Sequence, residues 1–234
     1  MSGVEAAKRL AARTAVDAFV KNGFKLGIGS GSTVVYAVER IAERARAENL
    51  QLTCVPSSFQ ARQLIIEHGL LLSDLERTPE LDLAIDGADE VDEKLTLIKG
   101  GGGCLLQEKI VVNAAKEFVV VADYRKNSGA LGQQWKKGVP IEVLPLAYRP
   151  VQKEIETRFG GTAKLRMAKA KAGPLVTDNG MFIIDWEFEE SPTDGWTKIG
   201  MELNNIPGVV EHGLFIGCAK KAYFGNEDGT VSER

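Results

Sequence analysis

Leu81-Asp82-Leu83-Ala84-Ile85-Asp86-Gly87-Ala88-Asp89-Glu90 is a short apolar run that ends abruptly in acids and a glycine. The run is too brief for an ordinary helix, and only Asp82 interrupts it, which is the pattern of a strand covered on both faces. Two more stretches share this character. Lys25-Leu26-Gly27-Ile28-Gly29 runs into the small residues Ser30 to Thr33, and Phe118-Val119-Val120-Val121-Ala122 runs into Asp123. A fourth, Gln51 to Val55, stops at Pro56. Between them apolar positions recur at helical spacing: Ala7, Leu10, Ala11, Ala15 and Ala18 at the start, then Val34 to Ala47, Ser58 to His68 and Cys104 to Ala115. Buried strands alternating with helices predict an α/β fold with a parallel, Rossmann-like sheet covered by helices.

The pattern changes after Asp123. Residues 123–140 are polar and carry Gly129, Gly132, Gly138 and Pro140, the signature of a crossover. Strand-like Ile141 to Val143, Ala163 to Met167 and Met181 to Phe188 then mix with helical Val151 to Arg158 and Trp196 to Leu203. This predicts a smaller inserted α+β domain over 133–204, with antiparallel strands. Gly213 to Cys218 and Lys220 to Phe224 are apolar again and are expected to return to the first sheet. The main domain is thus expected over 1–132 plus 205–234.

Composition removes several classes. With 29 basic and 32 acidic residues the net charge is −3, without the basic excess of a nucleic-acid binder. The longest apolar candidate, Ile110 to Ala122, is broken by Asn113, Lys116 and Glu117 and falls short of the roughly 18 residues of a membrane span. Cys54, Cys104 and Cys218 form no C-x-x-C pair, which points to a reducing compartment and away from structural zinc. Met1-Ser2-Gly3-Val4-Glu5 shows no apolar targeting region, so a cytoplasmic location is expected. Only His68 and His212 are histidines, so acid–base chemistry falls to carboxylates and lysines. His68, before Gly69, reads as a helix cap.

Three polar motifs lie at or just beyond strand ends, where open parallel sheets collect their ligands. Gly27-Ile28-Gly29-Ser30-Gly31-Ser32-Thr33 is either a phosphate cradle of backbone N–H groups and hydroxyls or a glycine turn whose Ser and Thr cap a helix. It lacks the third glycine of a dinucleotide fingerprint and the lysine of a nucleotide P-loop. Asp86-Gly87-Ala88-Asp89-Glu90-Val91-Asp92 holds four acids in seven residues: a metal site, a proton-handling pair or a solvated turn. It does not fit a calcium loop. Lys99-Gly100-Gly101-Gly102-Gly103-Cys104 spends four glycines before a helix that carries Glu108. Such a run is entropically costly as a plain loop, and its amides can approach a developing oxyanion. Glu108 is placed about one and a half turns into that helix, either beside the glycines or as a surface partner of a lysine. Cys104 reads as a packed small residue rather than an activated thiol.

These motifs, in this order, together with Val121-Ala122-Asp123-Tyr124-Arg125-Lys126, Lys171-Ala172-Gly173-Pro174 and Asn205-Ile206-Pro207-Gly208-Val209, resemble the ribose-5-phosphate isomerase type A family nearly end to end. The segment around Gln133-Gln134-Trp135 looks more like its eukaryotic branch. The resemblance implies interconversion of ribose 5-phosphate and ribulose 5-phosphate in the non-oxidative pentose phosphate pathway, without cofactor or metal. It implies that Glu108 moves a proton between C2 and C1 through a cis-enediolate, and that Asp86, Asp89 and Lys99 handle ring-opening and hydroxyl protons. Gly100, Gly101 and Gly102 would supply donors to the enediolate oxygen. Ser30, Gly31, Ser32, Thr33, Gly87, Ala88 and Lys126 match substrate-binding positions, and Lys8 or Arg9 matches a lysine near the phosphate. The expected partner is a small sugar phosphate, and the expected assembly a homo-oligomer, a dimer in the first instance. Two other classes compete. A non-catalytic sugar-phosphate sensor would leave Glu108 and Lys99 without a task, and a coenzyme A transferase would need an adenine site that nothing in the chain indicates.

Overall fold

The computed structural model describes residues 3–190, 192 and 195–234. Met1 and Ser2, where the N-terminal reading begins, lie outside the described residues. In chain order the elements are α1 (Gly3–Phe19), β1 (Lys25–Ile28), α2 (Ser32–Glu48), β2 (Thr53–Pro56), α3 (Phe59–Glu67), β3 (Leu71–Leu72) and β4 (Leu81–Asp86). There follow β5 (Glu90–Val91), β6 (Leu97–Ile98), α4 (Leu105–Asn113), β7 (Ala115–Asp123), β8 (Val139–Val143), α5 (Tyr148–Phe159), β9 (Thr162–Leu165) and β10 (Phe182–Glu187). The chain ends with α6 (Trp196–Asn204), β11 (Val209–His212), β12 (Leu214–Phe215), β13 (Lys221–Gly225) and β14 (Val231–Glu233).

Two compact units result. The first comprises Met1–Ala88, Gln107–Asn127 and Gly217–Arg234. Its sheet has the order β14-β13-β7-β4-β1-β2-β3, parallel throughout except for β14, which pairs antiparallel with β13. Leu26, Ile28, Leu83, Ile85, Val119 and Val121 meet Ala11, Ala15, Val38 and Ile41 in one buried core. The alanines of α1 allow that helix to lie close to the strands. The expected Rossmann-like sheet is therefore present, and its strand order reverses direction between β1 and β4. A crevice opens at the carboxyl ends of strands at such a switch point.

The second unit comprises Asp89–Leu106 and Ser128–Ile216. It holds an antiparallel sheet β11-β8-β10-β9 and a small sheet β12-β6-β5. Val139, Ile141, Val151, Ile155, Ile184, Trp186 and Leu203 form its core. Two expectations about this region need correction. The inserted segment is larger than 133–204, because β11 pairs with β8 and so keeps residues 205–216 in this unit. The apolar Gly213–Cys218 stretch does not return to the large sheet either: Leu214 and Phe215 pair with Ile98 and Leu97, and only β13 rejoins β7. Apolar content marked these residues as buried but could not tell which sheet would cover them.

Candidate active site

In the first unit, the ends of β1 and β4 are tied by a single carboxylate. Asp86, 1% exposed, accepts hydrogen bonds through Oδ1 from the Ser30 N–H at 2.9 Å and the Gly87 N–H at 2.7 Å. Gly29 makes room for it, since a Cβ there would lie 2.0 Å from both Asp86 Cγ and Oδ1. The turn then delivers Gly31, with φ of 103°, as the residue before α2, and no side chain caps the helix. This discards the reading of Ser32 and Thr33 as caps: both lie inside the first turn, where the helix presents unsatisfied N–H groups and the positive end of its dipole. That end is suited to an anion.

Hydroxyls and a cation gather at the same turn. Ser30 Oγ donates to Ser58 Oγ at 2.7 Å and lies 3.2 Å from Ser57 Oγ. The Gly31 N–H donates to Gln60 Oε1 at 2.8 Å. Lys8 Nζ reaches Ser32 Oγ at 2.9 Å and Glu5 Oε1 at 2.7 Å. The Lys8 bond first, and then Tyr36, hold the Glu5 carboxyl below its ordinary range. Arg9 goes elsewhere, pairing with Glu39 at 3.3 Å and stacking over Tyr36 at 4.9 Å. Of the two basic candidates in α1, Lys8 is the one at the turn.

Lys126 closes the 3-10 turn Tyr124–Lys126 that follows β7. Asp123 starts this turn, accepting from the Arg125 N–H and holding its guanidinium at 2.7 and 3.1 Å. Burial pushes the Asp123 carboxyl up, but the Arg125 hydrogen bonds and charge outweigh it and hold the group below its usual range. A depressed carboxyl stabilises the fold above its unfolded pKa, and that contribution is lost as pH falls through the folded value. Asp123→Asn should therefore melt lower than wild type at neutral pH, and the gap should close as pH drops below about 4. Melting curves taken from pH 7 to 3 check this; a pH-independent gap would contradict it.

The second unit splits the remaining acids by task. Glu90, fully buried, accepts from Ser128 Oγ, the Gly132 N–H and the Gln134 N–H at 2.9, 2.6 and 2.6 Å, so it anchors a loop. Asp92 accepts from the Lys94 and Thr96 N–H groups and shapes the hairpin turn. Asp89 instead accepts the Gly101 N–H through Oδ2 at 2.6 Å. The glycine run is a closed turn, with Gly103 N–H bonded to Gly100 O at 2.9 Å, and a Cβ at Gly101 would lie 2.5 Å from Asp89 Oδ1 and 2.8 Å from Trp135. The exposed Gly102 has open space around it. Lys99, 2% exposed, donates its backbone N–H to Gly213 O at 2.8 Å and holds its ammonium 5.3 Å from the Phe215 ring. Among the described residues no cluster of three His, Cys, Asp or Glu side chains is set to hold a metal ion, and no helix is long and apolar enough to cross a membrane.

Glu108 is 5% exposed and lies in the first turn of α4, closer to the helix start than expected because the helix begins at Leu105. Burial rules out the surface-partner reading. The histidines are engaged with backbone: His68 Nδ1 with Leu64 O at 2.9 Å, and His212 Nδ1 accepting from the Leu214 N–H at 3.2 Å. Cys54 is an inert core thiol, pushed up to about 12 by burial.

Within the first unit the structure thus gathers Lys8, Ser30, Gly31, Ser32, Asp86 and Gly87, with Thr33 and Ala88 one residue further along. Within the second it joins Asp89 to the glycine turn. Sequence reasoning missed Ser57, Ser58 and Gln60, although a rule that looks past strand ends would have reached the pair after β2. It also missed Arg166, which grips the glycine turn from 65 residues away and carries no local signal.

Residues 53–229 match the family described as ribose 5-phosphate isomerase A (phosphoriboisomerase A). Among curated relatives, the chain is 60% identical over its whole length to ribose-5-phosphate isomerase of Sus scrofa, covering 76% of that protein. It is 58% identical to the Dictyostelium discoideum enzyme of the same name, over 95% of each chain. Among solved structures, ribose 5-phosphate isomerase A of Methanocaldococcus jannaschii superposes with a TM-score of 0.89 at 41% identity over 97% of each chain. A D-ribose-5-phosphate isomerase in complex with phospho-erythronic acid superposes at 0.93 and 40% identity, over 99% of this chain and 98% of the other.

Proposed function

The chain belongs to the ribose 5-phosphate isomerase A family, and on that premise we propose that it interconverts D-ribose 5-phosphate and D-ribulose 5-phosphate through a cis-enediolate. Glu108 is the base that carries the proton between C2 and C1, and the reaction serves the non-oxidative pentose phosphate pathway. The observation that carries this reading is the buried Glu108 at the start of α4 in a chain whose two histidines are both engaged with backbone. An aldose–ketose isomerisation needs one base that reaches two adjacent carbons and electrophilic help at the carbonyl oxygen; it needs no net redox partner. Asp86, Asp89 and Lys99 are assigned to ring opening and hydroxyl protons. Gly100 and Gly102 are assigned to the enediolate oxygen, and Gly101, whose N–H is on Asp89 Oδ2, to holding that carboxylate. Ser30, Gly31, Ser32, Thr33 and Lys8, at the positive end of α2, are assigned to the phosphate, and Gly87, Ala88 and Lys126 to the rest of the substrate. The analogue bound by the solved relative supports the substrate class, since an aldonate phosphate carries a phosphate and a two-oxygen anion resembling an enediolate.

The direct test is incubation with ribose 5-phosphate in deuterated water. Ribulose 5-phosphate should form and solvent deuterium should enter at C1 or C2, whereas binding without either result would favour a sensor. Lys126→Ala should raise KM about tenfold with little change in kcat, as loss of one charge-assisted substrate contact does. An unchanged KM would remove Lys126 from the site. A homodimer and a cytoplasmic location complete the proposal, and the exposed apolar Leu144, Leu146 and Val210 of the second unit are surface that such an assembly would cover.

A further inference from the structure

The glycine turn is held from behind by a side chain that the isomerase chemistry has not so far used. Arg166, just past β9, donates through Nη1 to Gly100 O at 2.9 Å and to Gly101 O at 3.2 Å. Its other edge is locked onto Asp185 of β10, with Nε to Oδ2 at 2.8 Å and Nη2 to Oδ1 at 2.5 Å. Both side chains are largely buried, at 14% and 19% exposure. The backbone of Arg166 is pinned as well, donating to Ile183 O at 2.8 Å and accepting from the Leu175 N–H at 2.9 Å. A guanidinium can do this because its donors form a rigid planar fork; a lysine ammonium cannot serve two carbonyls and both oxygens of a carboxylate at once.

The direction of this grip matters more than its strength. In a planar trans peptide the C=O and the following N–H point to opposite sides. The Gly100–Gly101 peptide shows the consequence: its carbonyl faces Arg166, and its N–H faces Asp89 Oδ2 at 2.6 Å. The Gly101 carbonyl is on Arg166 too, so the Gly102 N–H is turned away from Arg166, at the point where the turn is open. Glycines are otherwise free to flip such peptides, and four in a row would lose any defined donor direction.

We propose that Arg166, anchored by Asp185, is a positioning residue for the isomerisation: it orients the Gly100-Gly101-Gly102 peptides so that their N–H groups hold Asp89 and face the developing enediolate oxygen. This rests on the isomerase reading above. Arg166 touches no reacting atom in this scheme and acts only through the turn. Preoriented dipoles act in the transition state more than in the ground state, so the effect belongs in kcat.

The test compares steady-state isomerisation by wild type, Arg166→Ala, Arg166→Lys and Asp185→Asn, with melting temperatures to establish folding and Glu108→Gln as the chemical control. Arg166→Ala should lose about 100-fold in kcat with KM within about threefold, the size expected when catalytic geometry loosens by around an ångström. Arg166→Lys should remain impaired because it cannot reproduce the fork, and Asp185→Asn should fall in the same direction by less. Added guanidinium should restore part of the kcat of Arg166→Ala in a saturable way, a response that general loss of stability would not give. If Arg166→Ala does not fold, the lysine and asparagine variants decide the question by the same split of kcat from KM. Folded variants with wild-type kcat, or losses confined to KM, would overturn the inference while leaving the isomerase reading intact. An inactive wild type would overturn both.

Discussion

Glu108→Gln is expected to lower kcat for ribose 5-phosphate about 1000-fold while substrate affinity stays within a few-fold of wild type. The substitution keeps the shape of the side chain and its place in the first turn of α4, where it is 5% exposed, and removes only the ability to take and return a proton. A neutral amide is also the least disruptive replacement for a buried carboxylate, because it keeps hydrogen-bonding capacity and leaves no cavity. The turn of the first unit proposed to bind the phosphate is built from Ser30, Ser32, Lys8 and the start of α2, all unaffected by this change, so binding should persist. The measurement is kcat and KM by ketose formation, paired with deuterium wash-in. A variant that still isomerises at the wild-type rate would end the role of Glu108. A variant that neither isomerises nor binds would point to damage to the fold instead of loss of the base.

How far the sequence alone could reach is seen by comparing particular residues. The apolar runs at Leu81, Lys25 and Phe118 led to β4, β1 and β7 because a strand covered on both faces leaves an almost uninterrupted hydrophobic record. Such strands alternating with helices make a parallel sheet covered on both faces, so the main architecture was legible. The boundary of the second unit was not. Val209–His212 and Leu214–Phe215 are short, and each pairs with a strand far away in sequence, β8 and β6 respectively. Hydrophobicity reports that such residues are covered and is silent about the partner. The acid cluster shows the same limit at a finer scale. Asp86, Asp89, Glu90 and Asp92 look alike in sequence, yet Glu90 anchors a loop, Asp92 shapes a turn, Asp86 ties two strand ends and Asp89 grips a glycine amide. Those tasks depend on donors that arrive from residues 1 to 56 positions away, as with Gly87 and Ser30 on Asp86.

Gly29→Ala is the second substitution expected to have a large effect, and its reason is spatial rather than conformational. Gly29 is not among the glycines with positive φ, so alanine can adopt its backbone. The obstacle is Asp86: the three atoms nearest to an added Cβ are Asp86 Cγ, Oδ1 and Cβ, at 2.0, 2.0 and 2.5 Å. No real Cβ tolerates such distances, and Asp86 is buried in β4 with its Oδ1 committed to the Ser30 and Gly87 N–H groups. Relief requires the carboxylate to swing away, which leaves two backbone donors without their acceptor and lets the Ser30–Thr33 turn drift from the end of β4. Overpacking and lost hydrogen bonds together should cost about 3 kcal/mol of stability. Displacement of the proposed phosphate turn and of Asp86 should lower kcat/KM by about 100-fold or more. A double-mutant cycle isolates the cause. In an Asp86→Gly background all three of those atoms are gone, so Gly29→Ala should then be nearly silent in denaturant unfolding, although activity stays low because the Asp86 carboxylate is gone. An equal loss of stability in both backgrounds would place the clash elsewhere. A fully active single variant would mean that the carboxylate joining β1 to β4 is dispensable to the turn it organises.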